Sequence, residues 1–557
     1  MAVTLRAAHP YSAAIASSGA AERRPSVSLQ ASPPHVLAVD LGTSGCKTAL
    51  VSQRGEIVAW AFRPVATRIV AGAGAEQEPE DWWQALVATA REVVAGAGVP
   101  PEAVVAVCCS TQGEGTIAVD AADRALLPAL TWRDMRGSAL IRARSRGWLN
   151  VAGYDVFKLQ RWLRLCGGAP SLSGKDPAAH MLWVREQHPE VYARTHKFLN
   201  VLDYLNLRLS GRCVATSDSI LTSWVTDNRR LDAIRYDAGL VAASGVDATK
   251  FPEIVRCTDV IGTLRPEVAA AIGLAPTTRV VAGSIDNTAA AIGAGTLADG
   301  AAHLYLGTSS WIGAHLPHKR TDVRAGIASV PCALPDKYLM VAMQTNAGSN
   351  LSFLKEKLLY HADELRAGDT PEHVYALLDR VAERVPAGAD GLLYQPWLMG
   401  ERSPVDERSL RAGLFNLSLA HSRETLVRAF FEGVALNTRW LQAPVERFLG
   451  QPLAELTVLG GGATSAVWCQ IFADVLGVTI RQLEAPMQAN AIGAATIAFV
   501  GLGLLDFATA ARQTRYRRSF EPIAAHRAVY AERYATFLEL YRRLAPLYRR
   551  VNGGVNP

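Results

Sequence analysis

The sequence predicts an α/β protein made of two related lobes, and three observations carry that reading. The tetrapeptide Leu-Gly-Thr-Ser occurs twice, as Leu41-Gly42-Thr43-Ser44 and as Leu306-Gly307-Thr308-Ser309. Each copy ends an apolar, strand-like run and leads into a second β-prone stretch, 47–51 and 310–314. A carboxylate, Asp286, opens a small-residue helix predicted over 289–295. Three consecutive glycines, Gly460-Gly461-Gly462, stand between the apolar run 456–459 and a helix predicted over 466–476.

Each Gly-Thr-Ser segment reads as a hairpin turn lined with backbone N–H groups and hydroxyls. Glycine admits close backbone approach, and amides converging on one point hold an anion. One such turn is ordinary. Two, one in each half of the chain, suggest two lobes gripping a polyphosphate between them. Asp286 would sit on the positive end of its helix dipole, although Asp is also a common helix cap. The triglycine, with Ala463 after it, makes a strand-to-helix turn with no side chains in the way, so a flat base or ribose could lie against the backbone. It is not Ser-rich and is bounded by regular structure, which argues against a linker.

At this point the chain resembles FGGY-type carbohydrate kinases of the sugar kinase, Hsp70 and actin superfamily, over residues 36–548. The matching segments keep the family's order. They are 40–47, Gln77-Glu78-Pro79-Glu80-Asp81-Trp82-Trp83, Trp132-Arg133-Asp134-Met135-Arg136, and Asp203-Tyr204-Leu205 through Leu209-Ser210-Gly211. Asp286-Asn287 and the second turn come next, then Gly400-Glu401-Arg402-Ser403-Pro404, Gly413-Leu414-Phe415-Asn416-Leu417 and His421-Ser422-Arg423. The segment Gly460-Gly461-Gly462-Ala463 closes the series. The resemblance implies two ribonuclease H-like (actin-like ATPase) lobes with a cleft for ATP and substrate. It implies Asp286 as the base that takes the proton from the substrate hydroxyl. It places Gly42, Thr43, Ser44, Gly307, Thr308 and Ser309 on the nucleotide phosphates, with Lys47 adding charge, and 460–463 on the adenosine. Magnesium would ride on the phosphates with Asp40 holding its water shell.

The same resemblance assigns the substrate side to Gln112, Glu114, Trp132, Asp134 and Asn287. Glycerol kinases carry Gln-Arg-Glu where this chain has Gln112-Gly113-Glu114, and xylulose kinases usually carry Gln-Met-His-Gly. The sequence Gln112-Gly113-Glu114-Gly115 is most similar to the Gln-Gly-Asp-Gly of erythritol-type polyol kinases. The expected substrate is therefore a four- or five-carbon sugar or polyol, with Glu114 accepting hydrogen bonds from two vicinal hydroxyls. A non-catalytic ATP- and sugar-binding regulator and a phosphohydrolase of the same superfamily are the alternatives. Asp286 speaks against the first and the 112/114 and 132/134 segments against the second.

Composition agrees. The chain has 557 residues, 49% of them hydrophobic and 19% charged, and a net charge of +6 with no long basic block, which gives no footprint for nucleic acid. Its eight cysteines show no metal spacing, and Cys108-Cys109 read as buried apolar residues in a reduced, cytoplasmic setting. Gly45-Cys46-Lys47-Thr48 lacks the spacing of a P-loop, and His180, His188 and His196, eight apart, suit no metal geometry. The apolar stretch 491–505 is too short to span a membrane and reads as a buried helix.

The expected organisation is a disordered extension over 1–35, a first lobe over 36–285, a second over 286–512 and a C-terminal helical segment over 513–557. The Ala/Ser-rich start leaves a targeting segment or a start set too early as alternatives. A long helix is predicted over 424–448. Another carries Tyr530, Tyr534, Phe537, Tyr541, Leu544 and Tyr548 as the apolar stripe of a surface helix, with Pro546 bending or ending it. A homodimer is compatible with this reading.

Overall fold

The computed structural model describes residues 33–553 apart from Gly72 and Ala367, together with the backbone of Val3–Leu5. The expectation for the rest of 1–35 lies outside the described residues.

Two sheets repeat one pattern. In the first, His35–Gly42, Gly45–Ser52 and Ile57–Pro64 form an antiparallel meander. Val104–Thr111 then pairs parallel with His35–Gly42, and Arg279–Ile285 pairs parallel with Val104–Thr111. In the second, Ala302–Leu306, Ser310–Leu316 and Tyr338–Gln344 form the meander, and Glu455–Leu459 and Thr479–Leu483 add in parallel. The parallel strands are covered on both faces, so they read as continuous apolar runs, such as Val36-Leu37-Ala38-Val39, all fully buried.

The helices that follow the last parallel strands are exchanged between the sheets. Asp286–Gly293 leaves the first sheet and packs through Ala290 with Trp311, Leu459 and Leu483 of the second. Ala489–Gly501 leaves the second sheet and packs through Ala491, Ala494, Ala495 and Ala498 against Val36, Ala38, Cys108 and Val281 of the first. The two helices cross at backbone distance. A Cβ on Gly293 would lie 1.9 Å from the Ala489 carbonyl oxygen, and one on Gly493 would lie 1.9 Å from that of Ala289. Alanine and glycine at this crossing let the lobes meet on two thin rods, a geometry suited to a hinge.

The long helix runs over Arg423–Leu449 and is capped by Ser422, whose hydroxyl accepts from the N–H groups of Glu424 and Thr425. The C-terminal part differs from expectation. Tyr516–Phe520 is a strand that joins the second sheet beside Thr479–Leu483, and Arg527–Asn552 is one helix that continues through Pro546. Tyr530 and Phe537 are fully buried in the core of the second lobe, so the stripe seals that core. Of the three histidines spaced eight apart, His180 lies in Pro177–Gln187, and His188 and His196 lie outside it. Among the described residues no helix is long and apolar enough to cross a membrane, and no cluster of three or more metal-ligating side chains is present.

Candidate active site

The carboxyl ends of adjacent parallel strands bring the predicted residues together, the usual place for a ligand in an open α/β sheet. Asp40 lies opposite Ser110, Leu41 opposite Thr111, and Thr111 opposite Ile285, so Asp40, Gln112 and Asp286 end three neighbouring strands. Gly42 pairs with Gly45, leaving Thr43-Ser44 as a two-residue turn. In the second lobe Leu306 pairs with Ser310 around Gly307-Thr308-Ser309, and Tyr305 lies opposite Leu459 just before the triglycine.

Asp286 is the first residue of its helix, with Ile285 at the cap position, and its Oδ1 accepts from the Asn287 N–H at 2.8 Å. Burial first, and then the nearby Asp40 charge, push its carboxyl up to about 7. Asp40 is buried, ion-paired with Lys47 at 3.0 Å, and accepts from Asn490 Nδ2 at 3.2 Å, which ties the exchanged helix to the first turn. Tyr305 feels Lys47, Asp40 and Asp286, so the end of the second hairpin faces the first across the cleft.

The second turn is seated on the chain that follows its meander. The Gly348 N–H donates to the Gly307 carbonyl at 2.8 Å, and those of Ala347 and Ser349 donate to the Thr308 carbonyl at 2.9 and 3.1 Å. Thr308 itself is exposed. Within the triglycine only Gly461 faces open space. A Cβ on Gly460 would lie 2.7 Å from the Leu306 carbonyl, and one on Gly462 would lie 2.8 Å from the Trp468 ring.

On the substrate side the predicted residues separate into two sets. Trp132 is exposed, and its Nε1 donates to Thr43 Oγ1 at 2.9 Å. Thr43 Oγ1 in turn donates to Gln112 Oε1 at 3.0 Å, and Gln112 Nε2 donates to Gln77 Oε1 at 2.7 Å. The Thr43 hydroxyl proton is thus committed to Gln112, and Gln112, buried, braces the turn. Asp134 is also a correction to the sequence reading. It is fully buried, accepts from the Ala75 N–H, and is clamped by Arg136, which also pairs with Glu76, so it lies behind the cleft wall. Asn287 and Glu114 remain at the cleft. Glu114 adopts φ +60°, a conformation costing about 1–2 kcal/mol for a residue with a Cβ and found disproportionately at functional sites.

Sequence reasoning missed two groups. Asp218, buried, accepts from the Ile285 N–H at 3.1 Å and from Thr216 Oγ1 at 2.5 Å, fixing the strand end from which Asp286 projects. Glu401, pushed up to about 7 by burial, accepts from Asn437 Nδ2 and from the N–H groups of Thr345 and Arg402. Glu401 stands in the Gly400–Pro404 segment, but its bonds to Thr345 and Asn437, like that of Asp218 to Ile285, come from distant parts of the chain.

Comparison with known proteins agrees with this geometry. The model of the FGGY family of carbohydrate kinases, N-terminal domain, matches residues 35–293, and that of the C-terminal domain matches 302–502. A xylulose kinase of Escherichia coli (strain K12) is 30% identical over 92% of this chain and 99% of its own length. A gluconokinase of Bacillus subtilis (strain 168) is 26% identical over 93% and 97%. The crystal structure of xylulose kinase from Rhodospirillum rubrum superposes with a TM-score of 0.75 at 27% identity, covering 92% of this chain and 99% of that one. With both halves matched in order around the two glycine turns, the chain belongs to the FGGY family of carbohydrate kinases.

Proposed function

We propose that this sugar kinase transfers the γ-phosphoryl group of ATP to a terminal hydroxyl of an open-chain sugar or polyol, with Asp286 as the general base. The observation that carries the reading is Asp286 itself. It is a carboxyl held up to about 7 at a helix start, in electrostatic reach of Asp40, two residues before the first glycine turn, and of Tyr305, two residues before the second. A base is most effective when it titrates near the working pH, and such a group contributes about 10²–10⁴-fold in rate.

Phosphoryl transfer asks mainly for positioning and neutralisation of charge. The turn backbones at Gly42-Thr43-Ser44 and Gly307-Thr308-Ser309 would bind phosphate oxygens, and Lys47 would lend charge from beside Asp40. The open face above Gly461, within Gly460-Gly461-Gly462-Ala463, would receive the adenosine. Glu114, Trp132 and Asn287 would orient the hydroxyl chain, and lobe closure about the crossed helices would exclude water. Asp40 and Asp286 repel one another in a shared recess, a donor set that suits a divalent cation. Magnesium bound there would be held by Asp40 through water and would neutralise phosphate charge.

The reading is tested by coupled ADP release with a panel of pentuloses, pentitols, erythritol, glycerol and aldonates. Phosphorylation of one of the four- to six-carbon chains ahead of glycerol is expected. ADP release that ignores every sugar would overturn it.

A further inference from the structure

A row of side chains crosses the first sheet just below its phosphate turn. Lys47 lies opposite Asp40, Asp40 opposite Ser110, and Ser110 opposite Ser284, on four adjacent strands. Directly opposed residues share a face. It is the face on which Val36, Ala38, Cys108 and Val281 meet the exchanged helix Ala489–Gly501. Ser284 reaches it through a β-bulge. Between the pairs Cys108–Val281 and Ser110–Ser284, Cys109 is matched by two residues, Ala282 and Gly283. Gly283 takes φ +74°, and a Cβ there would lie 2.1 Å from the Cys109 carbonyl oxygen. Regular alternation would turn Ser284 away from the face of Val281. The extra residue turns it back beside Ser110, a use of bulges that recurs next to active sites.

Both serines are fully buried, and among the described residues neither hydroxyl has a hydrogen-bond partner. A buried hydroxyl left unpaired is destabilising, and two of them side by side call for a shared partner. Asp40 is the neighbour with capacity to spare. It accepts one bond on each oxygen, from Lys47 on Oδ2 and from Asn490 on Oδ1, which leaves an acceptor position on both. On the far side of Ser284, Asp218 is taken up by the Ile285 N–H and the Thr216 hydroxyl. Adjacent strands stand about 4.8 Å apart, a separation that one water spans with a hydrogen bond on each side. Lys47 already neutralises Asp40, so the row suits a neutral bridging molecule and not a second cation.

We propose that Ser110 and Ser284 are positioning residues that hold one buried water against Asp40, and that this water fixes the carboxylate for the magnesium–nucleotide complex. The second half rests on the kinase reading above. The bulge at Gly283 exists, on this account, to complete the water's donors and acceptors. Neither serine touches substrate, because both lie under the cleft floor. They act through Asp40, as partners of a metal-holding group commonly do.

The test joins crystallography with cation binding, on the parent and on the Ser110→Ala/Ser284→Ala double variant. In crystals of the parent, one ordered water is expected within hydrogen-bond distance of both hydroxyls and of Asp40. Hydroxyls bonded directly to protein groups, with no water between them, would overturn the site. The Mn2+ affinity of the ADP complex, read by electron paramagnetic resonance, should fall about 10–100-fold in the double variant. ADP affinity in the presence of EDTA should stay at the parent value. Unchanged Mn2+ affinity would overturn the positioning role, and so would an equal loss of metal-free ADP affinity, which marks a general disturbance of the cleft. Scanning calorimetry gives a further sign. Hydroxyls that are merely unpaired would make the double variant melt above the parent, and melting at or below the parent temperature is expected. Should the double variant fail to fold, Ser110→Cys keeps nearly the same volume with a weak donor and carries the same Mn2+ expectation. None of these measurements depends on turnover. A protein that passes them and phosphorylates no sugar overturns the kinase reading alone.

Discussion

Replacing Asp286 with Asn separates chemistry from folding, because the two effects have opposite signs. The carboxyl titrates at about 7 in the folded protein against a usual 3.8. Between those values the native state keeps a proton that the unfolded chain has released, so stability falls as the pH rises from about 4 through about 7 and levels off above it. At roughly 1.4 kcal/mol per pH unit, the ionised group costs the fold up to about 4 kcal/mol at pH 8. The amide of the Asp286→Asn variant has no charge to desolvate, so this variant should melt at or above the parent temperature at pH 8. Turnover should meanwhile fall about 10²–10⁴-fold, equivalent to about 2.7–5.4 kcal/mol of barrier. In the parent, log kcat/KM should decline with unit slope below pH 7, and Asp40→Asn should move that limb to lower pH by removing the second-largest cause of the shift. Scanning calorimetry and sugar-dependent ADP release over pH 5–9 make the measurement. Near-normal turnover in a folded Asp286→Asn protein would refute the assignment, as would a parent limb that stays put in Asp40→Asn.

The other expectations are independent of that residue. Gly461→Val should fold, because a Cβ there meets nothing within 4 Å, yet ATP affinity by calorimetry should drop at least tenfold; unchanged affinity removes the adenosine from that face. Glu114→Ala should lower sugar kcat/KM about tenfold or more, at about 1.5–3 kcal/mol for each charged hydrogen bond lost, with ATP affinity close to that of the parent. Untouched sugar kinetics would take Glu114 out of the pocket. His303 and His315 are buried side by side and held down to about 3 and about 4 by desolvation. They stay neutral where the unfolded chain binds protons, so each should cost about 2 kcal/mol of stability at pH 5 relative to pH 8. His303→Gln should flatten the loss of melting temperature between pH 7 and pH 5, and an unchanged slope would show that other groups dominate.

The backbone-binding parts of the site are legible in the sequence because their chemistry is local. A Gly-Thr-Ser turn after a strand, an Asp at a helix start and three glycines after a strand need only neighbouring residues, and they fall where the chain reverses or changes from strand to helix. Duplication of the turn announces two lobes before any long-range contact is known. The sequence could not determine which side chains would remain available in the cleft. Gln112 and Asp134 have the right chemistry for substrate, and the fold commits both of them to neighbours: Gln112 to Thr43 and Gln77, Asp134 to Arg136. Asp218 and Tyr305 acquire their positions from segments far away in the chain. The same holds for the exchanged helices, where alanines that read as a plain buried helix become the crossing between lobes. Turn geometry follows from local dihedral preferences. Burial, pairing and the charge left over depend on which distant segments the packing brings together, and only the tertiary structure decides that.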